Sequence, residues 1–196
     1  AMMRKVILIM LFASSVFAAH QIEANVNSRD VEGSIRLDMG RMGNAMNNAY
    51  IGARFLKGDN NNSKTIADPD PLMEVSFLVM RPVQGVPGLK VGLGIKGEYT
   101  KFDGNTYSAV PMGVEAELRL PLNTPFPFYL GGALYYAPSV LCFKDADSYM
   151  ETRIHLDAEP ITNGRLEVGY RTIDTDVKDQ SVTYNDSWYF GMRLDF

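Results

Sequence analysis

Two histidines and one cysteine are present, and His155 has the richer surroundings. Glu151, Arg153, Asp157 and Glu159 flank it at alternate positions, so in an extended chain they share its face. An imidazole among carboxylates is raw material for a metal site or for general acid–base chemistry. No serine motif stands beside it to complete an acyl-transfer pair. An isolated histidine on a charged face ordinarily joins a hydrogen-bond network, and that is the reading adopted here. No catalytic residue, no metal ligand and no cofactor are expected, and the chain is read as not an enzyme. Cys142 has no histidine neighbour in sequence and reads as an ordinary loop thiol. Asp59, Asp68 and Asp70 can attract divalent cations but lack the regular spacing of a dedicated calcium loop, so they read as a solvated loop. Gly92 and Gly94 alternate rather than forming a phosphate-cradling loop, which points to close packing on a strand.

The elements that must position these side chains follow from composition and period. The chain has 196 residues, 46% of them hydrophobic, with 19 basic against 23 acidic side chains and a formal charge of -4. That is one domain with a sizeable apolar content. A single cysteine excludes an internal disulfide framework, and slight acidity leaves no electrostatic footprint for nucleic acid. Arg4 and Lys5 precede an uncharged run from Val6 to Ala19 that ends in small residues, the pattern of a secretory signal peptide. Val16 and Ala18 place cleavage after residue 18, with Phe17 and Ala19 as the second choice. The run is short against the roughly 18 residues that span a bilayer as a helix. The expected organisation is therefore a signal peptide at 1–18 and one domain at 19–196. His20 falls at the expected mature terminus, and losing Arg4 and Lys5 leaves 17 basic against 23 acidic side chains, a charge of -6.

The hydrophobic period is two. Leu89, Val91, Leu93, Ile95 and Tyr99 fall on one face, and Lys90, Gly92, Gly94, Lys96, Glu98 and Thr100 on the other. The same alternation sets Val114, Ala116 and Leu118 against Glu115, Glu117 and Arg119, and Ile154 and Leu156 against Arg153, His155 and Asp157. Ten such strands are expected, at 20–26, 31–39, 49–56, 72–81, 89–100, 109–120, 126–136, 149–159, 164–173 and 187–196. The uncharged stretch 120–143 contains Pro121, Pro125, Pro127 and Pro138, each costing a helix interior about 3 kcal/mol, so it too reads as strand and turns. Compact turns at 81–88, 121–125 and 160–164 alternate with longer, acidic connections at 57–71, 137–148 and 174–186. Short and long connections thus segregate to opposite ends of the sheet, as in outer-membrane barrels.

The fold class expected is all-β: a closed antiparallel up-and-down transmembrane β-barrel of about ten strands, with eight if the first two segments fail to pair. Alternation alone does not say which face is inside. The polar faces carry nine cations, Arg36, Arg54, Lys90, Lys96, Arg119, Arg153, Arg165, Arg171 and Arg193. Eleven anions oppose them: Glu23, Asp38, Glu74, Glu98, Glu115, Glu117, Glu151, Asp157, Glu159, Glu167 and Asp195. Near balance suggests a paired network filling the lumen, with His155 in it. Trp188, Phe190, Met192, Leu194 and Phe196 alternate up to a terminal aromatic, like the signal read by the outer-membrane barrel assembly machinery. Tyr99, Tyr107, Phe126, Phe128, Tyr135, Tyr136, Tyr149 and Tyr170 are candidates for interfacial girdles.

The segment 134–139 (LYYAPS), then 147–149, 168–171 (VGYR) and the final strand WYFGMRLDF resemble the YfaZ family of small Gram-negative proteins. The resemblance is strongest over roughly the last 70 residues. It implies an outer-membrane β-barrel and brings no catalytic residues to carry over. The reading is a protein of the Gram-negative outer membrane, in contact with lipid and lipopolysaccharide, with an occluded lumen and a structural or surface-interaction role. A narrow channel for small solutes or ions is the alternative, a lipid-modifying enzyme using His155 the next, and a soluble periplasmic barrel the last. A barrel near eight strands is filled by side chains, whereas aqueous porins need 16 to 18 strands, so general diffusion is not expected.

Overall fold

The computed structural model describes residues 21–28, 30–42, 48–58, 70–102, 105–177 and 180–196. The expected signal segment, Ala19, His20, Asp59 and Asp68 lie outside these residues. The alternating segments form twelve strands: β1 (Gln21–Val26), β2 (Val31–Asp38), β3 (Ala49–Lys57), β4 (Leu72–Pro82), β5 (Leu89–Phe102), β6 (Asn105–Ala109), β7 (Met112–Arg119), β8 (Phe128–Ala137), β9 (Cys142–Lys144), β10 (Ala146–Ile161), β11 (Gly164–Val177) and β12 (Gln180–Asp195).

These strands make one closed antiparallel barrel of ten staves. Each stave pairs with its sequence neighbours, β12 pairs with β1, and β4 with β5, so the sheet has no free edge along the barrel wall. β6 and β7 are one stave broken at Val110 and Pro111. Proline has no N–H to donate, yet its carbonyl accepts from the Lys96 N–H at 2.9 Å and carries the ladder across the break. β9 adds a short pairing to β6 at the same end. Both Gln21 and Asp195 lie at the end where β4–β5, β7–β8 and β10–β11 turn, called here the turn end. The opposite end is the loop end.

The sheet is inside out relative to a soluble barrel. Along β5, Val91, Leu93 and Ile95 are exposed, whereas Gly92, Gly94, Lys96 and Glu98 are buried. Leu93 is 69% exposed and Val75 63%, while Glu167 and Asp157 are fully buried. The outward apolar stretch on β10 runs from Met150 to Ala158. That is roughly 27 Å of strand at ~3.4 Å per residue, which strand tilt brings close to the roughly 25 Å apolar band of outer-membrane barrels.

Two connections expected as acidic loops are largely strand. β11 runs to Val177 and β12 starts at Gln180, so most of 174–186 is ladder; β10 likewise starts at Ala146. The physical reason is a change of polarity without a change of pleat. On β11, Leu166, Val168 and Tyr170 face out below, and Asp174 and Asp176 face out above, while Ile173 and Thr175 turn in and are buried. The charged outward positions made a strand look like loop. Inside this extension lies the barrel's apolar core, including Leu56, Leu72, Tyr107, Tyr149, Ile173 and Tyr184.

Three girdle candidates are corrected. Tyr107, Tyr135 and Tyr149 turn inward and are buried, each next to an outward neighbour such as Tyr136 or Met150. Consecutive residues of a strand point to opposite faces, so Tyr135 and Tyr136 cannot both face out. Tyr99, Tyr136 and Tyr170 do lie outside, Tyr170 against Trp188 at 5.2 Å between ring centroids. Phe126 and Phe128 pack together at 5.2 Å by the turn end. Glycine makes room for the inward tyrosine: a Cβ on Gly94 would stand 2.2 Å from Tyr135 Oη, and one on Gly113 would meet its ring at 2.7 Å.

Candidate functional site

Between the apolar core and the turn end most inward positions are charged or hydrogen-bonding, with β8 supplying Gly131, Ala133 and Tyr135 instead, and the pleat aims these side chains at a common axis. Three groups of contacts fill the space. Near the loop end, Glu151 accepts from Arg54 Nη2 at 2.9 Å, Lys96 Nζ at 2.7 Å and Tyr149 Oη at 3.0 Å. Arg54 also pairs with Glu74, and Lys96 Nζ lies 3.2 Å from Glu74 and 3.9 Å from the centre of the Tyr135 ring. Glu98 completes this group, 3.7 Å from Arg54.

At mid-height, Glu32 is the hub. Arg153 Nη2 donates to both its oxygens at 2.7 and 2.9 Å, Arg171 pairs with Oε2, and Arg54 stands 3.6 Å away. Asn25 bridges Glu32 and Glu23 at 2.8 and 2.6 Å. Arg171 Nε donates to Asn185 at 3.0 Å, and Asn185 donates on to Asp30 at 2.7 Å.

Toward the turn end, Arg193 gathers Glu23, Asp157 and Glu167 at 3.1, 3.2 and 3.0 Å. Tyr189 Oη donates to Glu167 at 2.6 Å. Arg165 pairs with Glu117 at 2.9 Å and lies 3.7 Å from Glu159 and 3.9 Å from Asp195. Arg36 pairs with Glu115 at 3.2 Å, and Tyr135 donates to the same carboxylate at 2.7 Å. Thirteen of the fifteen residues singled out for the lumen thus meet in linked groups. Lys90 and Arg119 do not: both are exposed at the turn-end rim, and neither makes an ion pair among the described residues.

His155 sits within this lower group. Its Nδ1 lies 2.7 Å from Asp157 Oδ1 and 3.9 Å from Glu167 Oε2. A Cβ on Gly131 would stand 2.2 Å from Nε2, so the ring fits only because β8 carries glycine there. His155, Asp157 and Glu167 have ligand atoms within 4.8 Å of one another. Arg193 already occupies both carboxylates, which makes the arrangement a hydrogen-bonded network.

The lumen is not uniformly filled. A cavity of about 290 Å³ opens at the turn end between Arg36, Asp38, Lys90, Glu117 and Asp195. A smaller one of about 70 Å³ lies deeper, lined by Glu74, Lys96, Glu151 and Arg153, and shares Arg36, Glu117 and Arg193 with the first. Toward the loop end the described inward side chains are those of the buried apolar core, called here the stopper.

A family model described as YfaZ precursor matches residues 2–196, nearly the whole chain. The chain belongs to the YfaZ family. No curated protein matches it.

The outward C-terminal row of this YfaZ-family barrel is clear of the lumen: Trp188 is 70% exposed, Phe190 55%, Met192 37% and Phe196 59%, with Leu194 partly covered. Sequence reasoning missed Glu32, although it shares the parity of Arg36 and Asp38 on β2 and parity alone would have found it. Asn185 went unnoticed because its segment read as loop, and Asp30 because it precedes the expected start of β2. Asp70, set aside as loop, offers its carbonyl to Thr100 at 2.9 Å and Tyr184 at 2.8 Å.

Cys142 belongs to the stopper, where its Sγ donates to the Ala137 carbonyl at 3.6 Å. Burial, then the charges of Asp147 and Glu98, push the thiol up to about 11. The thiolate is the reactive form, so this sulfur is a poor nucleophile at neutral pH. In the folded barrel at pH 7.5, Cys142 is expected to react with iodoacetamide at least tenfold more slowly than in urea-unfolded chain, as read by mass spectrometry.

Proposed function

We propose that this YfaZ-family chain is a small outer-membrane β-barrel that stiffens the membrane or presents a rigid surface, and that neither transports nor catalyses. The observation that carries this reading is the reversed sheet. Leu93, Val75 and Ile154 stand outside at 69, 63 and 53% exposure, and buried ion pairs stand inside. Water would penalise such an exterior, whereas hydrocarbon rewards it. On this reading lipid and lipopolysaccharide are its surroundings, and 1–18 is the export signal. The row from Trp188 to Phe196 is what the barrel assembly machinery engages.

The channel alternative gains a mouth from the turn-end cavity and loses its exit to the stopper of Leu56, Leu72, Tyr107, Tyr149 and Tyr184. The lipid-enzyme alternative requires His155 to meet an acyl chain, yet its side chain is 12% exposed and on the lumen face, away from the apolar exterior. Two measurements test the proposal. Boiled and unboiled protein from the outer-membrane fraction should migrate differently on a gel, and purified barrel in a planar bilayer should give no conductance steps. A freely soluble, heat-insensitive periplasmic protein, or reproducible steps, would defeat it.

A further inference from the structure

The outer wall changes character around the loop end. Phe55 on β3 and Tyr99 on β5 both pair with Met73 on β4, while Tyr99 also pairs with Ser108 on β6, which in turn pairs with Phe143 on β9. Register therefore sets these five residues in one row across the strands. Phe55, Met73, Tyr99 and Phe143 are all exposed. At roughly 4.8 Å between strands the row is about 19 Å wide.

A lysine stands just past each aromatic residue of the row. Lys57 and Lys101 follow Phe55 and Tyr99 by two positions and so keep their face. Lys144 follows Phe143 directly, its left-handed φ of 66° breaking the alternation that would otherwise turn it inward. All three lysines are exposed, and none makes an ion pair among the described residues. Lys101 Nζ and Lys144 Nζ lie 6.0 and 5.8 Å from the centre of the Tyr99 ring, so two ammonium groups converge on one outward aromatic. The other side of the barrel carries the opposite sign. Past Tyr170 and Trp188 on β11 and β12, the outward charges are Asp174, Asp176 and Asp186.

We propose that Lys57, Lys101 and Lys144, with the aromatic row beneath them, bind a phosphate-bearing lipid: its phosphate on the lysines, its acyl chains on the wall below. This rests on the membrane reading and assigns to it one sector of the barrel and one headgroup chemistry. An ammonium group is a strong point-charge partner for phosphate, and tyrosine favours the headgroup level, where one end of the ring is apolar and the other wet. Val91, Leu93 and Ile95 continue the face of Tyr99 down β5 as a surface for hydrocarbon. A soluble anion would satisfy the lysines and leave the row below uncovered. A wholly apolar partner would cover the row and leave three charges unmet.

The test uses the full barrel folded into phosphatidylcholine vesicles, its insertion checked by the gel shift on boiling. Spin-labelled phosphatidic acid, phosphatidylserine or phosphatidylcholine is added in trace amount, and the motionally restricted fraction of each label reports its association with the barrel. Phosphatidic acid should associate about fivefold or more beyond phosphatidylcholine, the effect of at least one lysine at a lipid surface. It should also exceed phosphatidylserine. Lys101→Gln should lower the preference part of the way, and Lys57→Gln with Lys101→Gln and Lys144→Gln should bring it near one. A charge-matched variant of the turn end, Arg81→Gln with Lys90→Gln and Arg119→Gln, should keep it. Four results overturn the proposal while leaving the membrane reading in place: equal association of phosphatidic acid and phosphatidylcholine, phosphatidylserine held as tightly as phosphatidic acid, a preference that survives the triple lysine variant, or one that falls with the turn-end variant. A protein that shows no gel shift and restricts no lipid defeats the membrane reading itself.

Discussion

Glu32→Ala should destabilise the folded barrel by about 3–5 kcal/mol, the cost of leaving buried charges without their partner. Glu32 is 1% exposed at its side chain and holds Arg153 and Arg171 directly, with Arg54 at 3.6 Å. Removing it strands guanidinium groups from β3, β10 and β11 around the same point. A carboxylate near the turn-end rim provides the comparison. Glu159 is 18% exposed at its side chain, accepts from Tyr129 at 2.9 Å and lies 3.7 Å from Arg165. Exposed pairs are worth roughly 0–1 kcal/mol, so Glu159→Ala should cost far less. Urea unfolding of both variants in lipid vesicles measures the difference. Equal losses would mean that the lumen is hydrated enough to solvate its charges, and the occluded-lumen reading would fall.

Leu93→Arg should cost roughly 2–4 kcal/mol in lipid, the range for arginine at the midplane of a barrel's lipid face. Leu93 is 69% exposed and lies in the middle of the outward row Val91, Leu93, Ile95. The magnitude discriminates between environments. In water an exposed leucine-to-arginine change away from special features stays within about ±0.5 kcal/mol. Reversible unfolding from vesicles therefore reports what touches this face, and a change near zero would contradict hydrocarbon contact.

Much of this architecture was legible in the sequence, because a barrel wall is written in a period of two. The ten expected segments correspond to the ten staves, and the closed antiparallel fold follows from them. Orientation was harder, since a soluble barrel has the same alternation; the balance of charges on one face suggested it, and the alternating row from Trp188 to Phe196 tipped it. The errors have a common physical source. A pattern of apolar and polar residues assigns faces only while the surroundings stay the same. Asp174, Asp176 and Asp186 looked like loop because they broke the apolar row, although β11 and β12 continue through them. Partner choice was invisible too, because ion pairs such as Arg54 with Glu151 or Arg153 with Glu32 join residues 97 and 121 positions apart. Only the curvature of the closed sheet brings them together.

The stopper of Leu56, Tyr107, Tyr149, Ile173 and Tyr184 lies inside strands that continue past the apolar band. Past that band the strand tips form a small conventional barrel perched on an inverted one, greasy at heart and charged without. Over 174–177 and 180–186 this end therefore presents laddered backbone, with Asp174, Asp176 and Asp186 on its outer side, so whatever touches it there meets fixed carboxylates at strand spacing.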